Sequence, residues 1–387
     1  MIAFFVSKAT KVERGLHRPC SLKHYFMDKL PYREFLAMIQ ERTREADVPY
    51  GGSFELTPLC NLDCKMCYVH LQDPSVRHRM LLGEQWISLI QQAIGEGMME
   101  AMLTGGEAMT HPAFWDIYMY LINHGIVTQV KTNGLLLNEE AIKRFQQYPP
   151  YKLDISLYGC DSESYVAVTG VDAYEQVVSH IRMAIDAGLH IQIMITPSSY
   201  MSPWTERVMQ LAKSFYVSVM VNDTLIDPND NTGRQKKDFD IPLEEELKIQ
   251  EKRKKLFSSG YSTGDHEFFM KRLNRPVLSD KGLYCDAGRS GFAVNWDGVM
   301  VPCLSFPRDV VCAHPLRDGF RQAWNEVNEA MKNYEVPKAC HHCELNDKCH
   351  YCPVHHQKLA ARHQCDPDYC NYLKAKYKVF QKIEKEN

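Results

Sequence analysis

Two patterns in the sequence predict an α/β protein with a cysteine-rich segment behind it. Between residues 50 and 225, short apolar runs alternate with amphipathic stretches, strand then helix, giving six strands with five helices between them. From Leu283 onward that alternation stops, and nine of the fourteen cysteines crowd into residues 285–370. Strand–helix alternation implies a parallel sheet with right-handed crossovers. A partial barrel and a doubly wound sheet both satisfy it. In either, ligands collect at the carboxyl ends of the strands.

The elements follow in order. Residues 1–49 read as a short helical lead-in: PYREFLAMIQERTREADV starts at a proline and spaces Phe35, Leu36 and Ile39 helically. In residues 50–225 the strands are SFELT, EAMLT, IVTQVKT, KLDISLY, HIQIMIT and YVSVMV. The helices between them are EQWISLIQQAIGEGM, AFWDIYMYLINHG, EEAIKRFQQ, YEQVVSHIRMAIDAG and WTERVMQLAKSF. Residues 226–282 form a linker, a polar loop DPNDNTGRQKKDFDIP and then a helix whose charge run, LEEELKIQEKRKKLF, is a solvated face. Residues 283–375 form a second, cysteine-rich domain, in which GFAVNWDGVMVPC reads as a hairpin turning at Asp297-Gly298. Residues 376–387 are a tail.

The 387 residues are 45% hydrophobic and 24% charged, with a formal net charge of -3. That balance gives no broad attraction to nucleic acid. No apolar run approaches the ~20 residues of a membrane helix, and MIAFFVSKATK is too short and lacks the cleavage pattern of a secretory signal. The expected location is cytoplasmic. In a reducing compartment, fourteen cysteines argue for metal or catalysis rather than disulfides.

CNLDCKMCY places Cys60, Cys64 and Cys67 directly after the first strand, on the first loop of the ligand face. His70 would complete a Cys3His zinc site. A thioredoxin-like pair, Cys64 and Cys67, would leave Cys60 unexplained. Three thiolates on a four-iron cluster would leave one iron open to a ligand. After the second strand, Gly105 and Gly106 let backbone approach a ligand closely, and Glu107 can accept from an ammonium group. Thr132, Asn133 and Ser156 are polar tips of the third and fourth strands, either ligand contacts or ordinary strand-end turns. Ile195 ends the fifth strand, as core or as an apolar flank for a ligand. In the tail, Cys285 and Cys303 precede Cys340-x2-Cys343-x5-Cys349-x2-Cys352, Cys365 and Cys370. Zinc knuckles are one reading, although two pairs five residues apart are tighter than a zinc ribbon. Cys20 and Cys160 stand apart and read as small buried residues.

The cysteine triplet after the first strand, followed by Gly105-Gly106-Glu107, resembles the radical S-adenosylmethionine enzymes. The tail resembles their C-terminal SPASM extension. The resemblance implies a partial (β/α)6 TIM-like barrel and a small iron–sulfur domain. It implies three [4Fe-4S] clusters and S-adenosylmethionine, whose reductive cleavage gives a 5′-deoxyadenosyl radical that abstracts hydrogen from substrate. Cys60, Cys64 and Cys67 would hold the first cluster. Gly105, Gly106 and Glu107 would hold the methionine amino group, and Thr132, Asn133 and Ser156 the ribose and carboxylate. Ile195 would flank adenine, as would Tyr68, which follows the third cysteine where many members carry an aromatic just before it.

By the same resemblance Cys340, Cys343, Cys349 and Cys370 would hold a distal auxiliary cluster. Cys285, Cys303 and Cys352 would hold a nearer one, with Cys312, Cys365, a substrate atom or nothing as its fourth ligand. GLYCDAGRSGFAVNWDG resembles maturases that form thioether or carbon–carbon crosslinks on ribosomally made peptides. The implied partners are a precursor peptide and an electron donor such as flavodoxin or ferredoxin, with neither nucleic acid nor membrane. Sulfatase maturases place an acidic residue after the cysteine matching Cys303, where this chain has Leu304. A tetrapyrrole-modifying enzyme is the second reading, and a zinc-bearing scaffold without catalysis is a third, from another class.

Overall fold

The computed structural model describes residues 32–69, 74–222, 225, 235, 238–257, 278–279, 282–283, 285–343, 352–354, 367, 370–371, 373–375 and 377–378. Cys20, His70, Cys349 and Cys365 lie outside them. The chain divides into two units, residues 1–42 and 43–387. The described part of the first is the opening of helix α1 (Tyr32–Glu45).

In the second unit the six expected strands all form: β1 (Gly51–Glu55), β2 (Glu100–Thr104), β3 (Val127–Thr132), β4 (Lys152–Ser156), β5 (Ile191–Ile195) and β6 (Ser218–Val221). They pair in sequence order and in parallel. The crossovers run through α2 (Gly83–Gly95), α3 (Phe114–Asn123), α4 (Glu139–Gln147), α5 (Ser162–Thr169) with α6 (Tyr174–Asp186), and α7 (Thr205–Ser214). Helix α8 (Leu243–Phe257) follows, and β7 (Leu278–Ser279) pairs with β8 (Gly282–Leu283) in a small antiparallel ladder. Local chemistry fixes several boundaries. Asn138 caps α4 by accepting from Ala141 N at 3.0 Å, and Asp161 caps α5 by accepting from Ser164 N at 2.9 Å. Helix α5 ends at Gly170 in the left-handed conformation (φ 71°).

The predicted hairpin is present as β9 (Gly291–Val294) and β10 (Met300–Val301). Its placement adds something new: β9 lies parallel to β1. Among the described residues the barrel sheet therefore has eight strands, in the order β10-β9-β1-β2-β3-β4-β5-β6, with β6 at one end and β10, bridged on its outer side by Ala313, at the other. Hydrophobic contact holds the hairpin there. The Phe54 ring meets Trp86 and Phe292 edge-on at 6.0 and 5.8 Å. Phe292 in turn meets Phe320 at 5.1 Å and Trp324 at 6.2 Å, both from α9 (Phe320–Lys332). Gly52 leaves the room for this packing, since a Cβ there would come within 2.7–2.8 Å of Phe292, Met98 and Phe54 side chains.

Candidate metal centre

The loop that leaves β1 is stitched to the loop that leaves β2. Leu56 N donates to Thr104 O (2.8 Å), Gly106 N to Thr57 O (2.7 Å) and Glu107 N to Leu59 O (2.9 Å). A Cβ on Gly105 would meet Thr57 O at 2.5 Å, and one on Gly106 would meet Leu59 O at 2.4 Å. The two glycines thus let backbone lie against backbone, where any side chain would force the cysteine loop away. Farther along, Asp63 N and Lys65 N donate to Thr169 O (2.9 Å) and Val168 O (3.1 Å), the last carbonyls of α5. Those acceptors have no partner inside their own helix, so the helix end anchors the loop.

This scaffold brings Cys60, Cys64 and Cys67 together. Burial pushes the Cys60 thiol up to about 12, with the charges of Glu107 and Cys67 adding to the effect. Burial raises Cys64 well above the ordinary thiol value, and Cys67 and Cys60 add to it. Three thiols near enough to feel one another, Cys64 buried and Cys60 and Cys67 half-buried, are costly as bare anions. Donors nonetheless face the Cys60 sulfur. Leu62 N lies 3.4 Å from Cys60 Sγ and Asn133 Nδ2 lies 3.6 Å from it. Clustered thiols with hydrogen bonds to sulfur suit metal-bound thiolates, which carry charge that outer donors support. The residues therefore fit an iron–sulfur cluster. Among the described residues, no three thiol, imidazole or carboxylate groups close to the spacing of a single metal ion.

Glu107 is buried, and four contacts occupy its carboxylate. Oε1 faces Met109 N (3.1 Å) and Thr132 Oγ1 (3.0 Å), while Oε2 faces Thr132 Oγ1 (3.0 Å) and Asn133 N (2.7 Å). Burial still outweighs these bonds and raises its pKa to about 6. Thr132 also accepts from Gly134 N at 3.0 Å. Ser156, half-buried at the end of β4, lies beside Met194 in register, and Ile195 is fully buried in the main core. Tyr68 packs on the small apolar cluster of Phe306, Met331 and Val354, beside Cys303 and Cys352.

In the tail the structure brings Cys303 close to Cys285 and Cys352. Burial pushes Cys303 up to about 12, and the charges of those two add to it. Cys340 and Cys343 share one turn, Cys343 N donating to Cys340 O at 3.3 Å. Cys370 is half-buried and Cys312 exposed. Tyr68 feels the charges of both Cys67 and Cys303, so its ring lies between the first thiol set and the second.

Sequence reasoning passes over a polar layer on the inner face of the sheet. Register places Lys131 beside Asp154, Asp154 beside Gln192, and Gln192 beside Ser218, with Glu55 beside Thr104 on the other side. Asn295 Nδ2 donates to Glu55 Oε2 at 2.9 Å. Lys152 reaches Asp154 Oδ1 at 3.1 Å and Gln192 Oε1 at 2.7 Å, and Gln129 bonds Asp154. Burial raises Glu55 and lowers Lys131, the latter opposed by the Asp154 charge. The signal was there to be read. Strands buried on both faces are normally near-continuous apolar runs, so charged residues in SFELT, VTQVKT and KLDIS mark a face turned to a polar interior.

Comparison with known proteins agrees with this geometry. Residues 54–229 match the Radical SAM superfamily. A probable GTP 3′,8-cyclase of Sulfurisphaera tokodaii is 34% identical over 147 residues, which is 36% of this chain and 46% of that protein. The antilisterial bacteriocin subtilosin biosynthesis protein AlbA of Bacillus subtilis is 22% identical over 310 residues, 78% of this chain and 65% of that one. The chain thus spans about half to two thirds of the length of these relatives. Among solved structures, Streptococcus suis SuiB bound to precursor peptide SuiA superposes with a TM-score of 0.68 at 15% identity, covering 95% of this chain and 86% of that one. At that identity the likeness is one of fold. Cysteine loop, partial barrel and superfamily match agree, and residues 54–229 are a domain of the radical SAM superfamily.

Proposed function

We propose that the protein is a radical S-adenosylmethionine enzyme that modifies a ribosomally made precursor peptide by forming a thioether or carbon–carbon crosslink. The observation that carries this reading is the trio of Cys60, Cys64 and Cys67, Cys64 buried and the other two half-buried, held on one side by the Gly105–Glu107 loop and on the other by the end of α5. When bound, a reduced iron–sulfur cluster and S-adenosylmethionine supply reductive cleavage of the sulfonium and the hydrogen abstraction that follows. The chain's own residues hold the three thiols, cover them from water and present the strand tips Thr132, Asn133 and Ser156 beside them.

Two features support a peptide substrate. The likeness to AlbA runs over 310 residues, well past the barrel, and SuiB, with a similar fold, has been seen with its precursor peptide. The inner face of the barrel is polar, from Asn295 and Glu55 to Gln192 and Ser218, which suits a chain rich in amides better than a broad apolar ring. Cys285, Cys303 and Cys352 are the proposed ligands of a nearer auxiliary cluster, and Cys340, Cys343, Cys349 and Cys370 of a distal one, within an auxiliary domain at 283–375. A small redox protein, flavodoxin or ferredoxin, is the proposed electron donor, and the cytoplasm the proposed location. Among the described residues, no helix is long and apolar enough to cross a membrane.

The test is co-expression with the short peptide encoded nearest the gene, followed by its mass. The reading predicts a product lighter by a pair of hydrogens for each crosslink. An unchanged peptide beside a protein that cleaves S-adenosylmethionine would contradict the peptide substrate and leave the cleavage chemistry standing.

A further inference from the structure

Strand β3 sends alternate side chains to opposite faces. Val130 and Thr132 are buried, Val130 in the main core. Lys131, between them, projects from the other face into the barrel and is half-buried there. It is the last residue but one of β3. It therefore lies just inside the rim, where Thr132 meets Glu107 and Asn133 Nδ2 donates to Asn61 Oδ1 of the cysteine loop at 2.6 Å.

The groups around it are committed to one another. Asp154, beside Lys131 in register, is buried. Its Oδ1 lies 3.1 Å from Lys152 Nζ, and its Oδ2 accepts from Gln129 Nε2. Lys152 Nζ also donates to Gln192 Oε1 at 2.7 Å, and Gln192 Nε2 to Ser218 Oγ at 3.1 Å. Glu55, the other acid of this face, stands two strands away on β1 and is tied to Asn295 at 2.9 Å. Among the described residues, Lys131 Nζ makes no hydrogen bond and no ion pair. Two ammonium groups thus share one carboxylate on this wall, and Lys152 has taken it.

A half-buried ammonium without a partner has lost hydration and gained no bond in return. A carboxylate entering from the mouth of the barrel would supply a charge-assisted partner. The wall beyond suits the rest of a peptide. Met194 and Met220, neighbours in register, share the face of Gln192, and Met220 is 42% exposed. Methionine is flexible apolar surface that adapts to varied side chains.

We propose that Lys131 determines substrate specificity: its ammonium receives a carboxylate of the precursor peptide inside the barrel, while Lys152 neutralises Asp154. The inference rests on the proposed function and narrows its substrate class. The peptide must carry an acidic side chain, or its own C-terminus, close to the residue that is crosslinked.

The loaded full chain and the short peptide encoded nearest the gene provide the test. Fluorescence anisotropy gives the Kd of the peptide and mass spectrometry its conversion, for the wild type, Lys131→Met and Lys131→Arg. Three further peptides carry Asn for Asp with Gln for Glu, an amidated C-terminus, or both changes. Lys131→Met should raise Kd and KM roughly 10- to 100-fold, the loss of a hydrogen bond to a charged group, and Lys131→Arg should recover most of it. One of the first two altered peptides should weaken as much on the wild type and lose nothing further on Lys131→Met, the non-additivity of groups in contact. Which one does so names the carboxylate. A doubly altered peptide that binds the wild type as tightly as the natural one would overturn the proposal, with no variant required to fold. So would a wild-type Kd in Lys131→Met, or a weakening by Lys131→Met that persists in full with the doubly altered peptide. Loss of affinity for S-adenosylmethionine in Lys131→Met with the peptide Kd unmoved would overturn it too, and assign the ammonium to that molecule's carboxylate. A wild-type chain that cleaves S-adenosylmethionine yet neither binds nor converts the peptide would overturn the proposed substrate, and this inference with it.

Discussion

Glu107 is the residue on which the ligand face is assembled. Its carboxylate joins Met109, Thr132 and Asn133, so the loop after β2 and the tip of β3 share one acceptor. Glu107→Gln turns one oxygen into a donor that must face another donor, and should cost ~1–3 kcal/mol, the penalty of a buried polar group left unsatisfied. Urea unfolding measures it. Glu55 gives a prediction in pH. It is buried, and burial raises it, opposed by the bond from Asn295, Arg308 and the Trp296 backbone and helped by Asp297; the Tyr68 hydroxyl also faces it. The folded chain therefore binds this proton more tightly than the unfolded chain does. That contribution to stability is full below the ordinary carboxyl value of 4.5 and is lost as pH rises through the folded value. Glu55→Gln should flatten the decline, which unfolding midpoints across that range would show. The sequence placed the Gly105-Gly106-Glu107 triplet after the second strand, where the structure has it, beside the cysteine loop. It hid that the glycines face the Thr57–Leu59 backbone, because a close approach to ligand and one to the chain's own backbone demand the same residue.

At the scale of elements, α5 matters more than its length suggests, because its last carbonyls hold Asp63 and Lys65 of the cysteine loop. Removing its cap by Asp161→Ala should cost ~0.5–2 kcal/mol. Hydrogen exchange at the Asp63 and Lys65 amides should quicken with it; unchanged protection there would show that the loop holds itself. Strand–helix alternation made the six strands legible, because buried parallel strands and amphipathic helices differ in apolar period, but it left their order in the sheet open between a partial barrel and a doubly wound sheet. Helix α5 escapes that reading: SESYVAVT is rich in β-branched residues, which favour strands, and buries Ser164, Tyr165, Val168 and Thr169 together. Helix α9 carries clear helical spacing in Phe320, Ala323, Trp324, Val327 and Met331, a pattern passed over when the tail is read by its cysteines. The hairpin was legible from Asp297-Gly298. Its partner strand was not, since turn chemistry fixes how β9 meets β10 and says nothing about β1.

Across the second unit, barrel and tail share an aromatic row, Trp86–Phe54–Phe292–Phe320, with Trp324 beside it, in addition to the β9–β1 pairing. Phe292→Ala should cost ~3–5 kcal/mol, as for other buried aromatics cut to alanine. It should also separate unfolding of the tail from unfolding of the barrel; a single transition with an unchanged midpoint would show that the row does not couple them. The second thiol set lies near Tyr68, which follows Cys67 of the first, a juxtaposition that cysteine spacing alone cannot specify. The account as a whole rests on the first set. Its most direct test is the 5′-deoxyadenosine formed when the loaded protein is mixed anaerobically with S-adenosylmethionine and dithionite, with Cys60, Cys64 and Cys67 intact or all replaced by Ala. The intact protein should form it and the triple variant should form none; cleavage that survives in the triple variant would contradict the assignment.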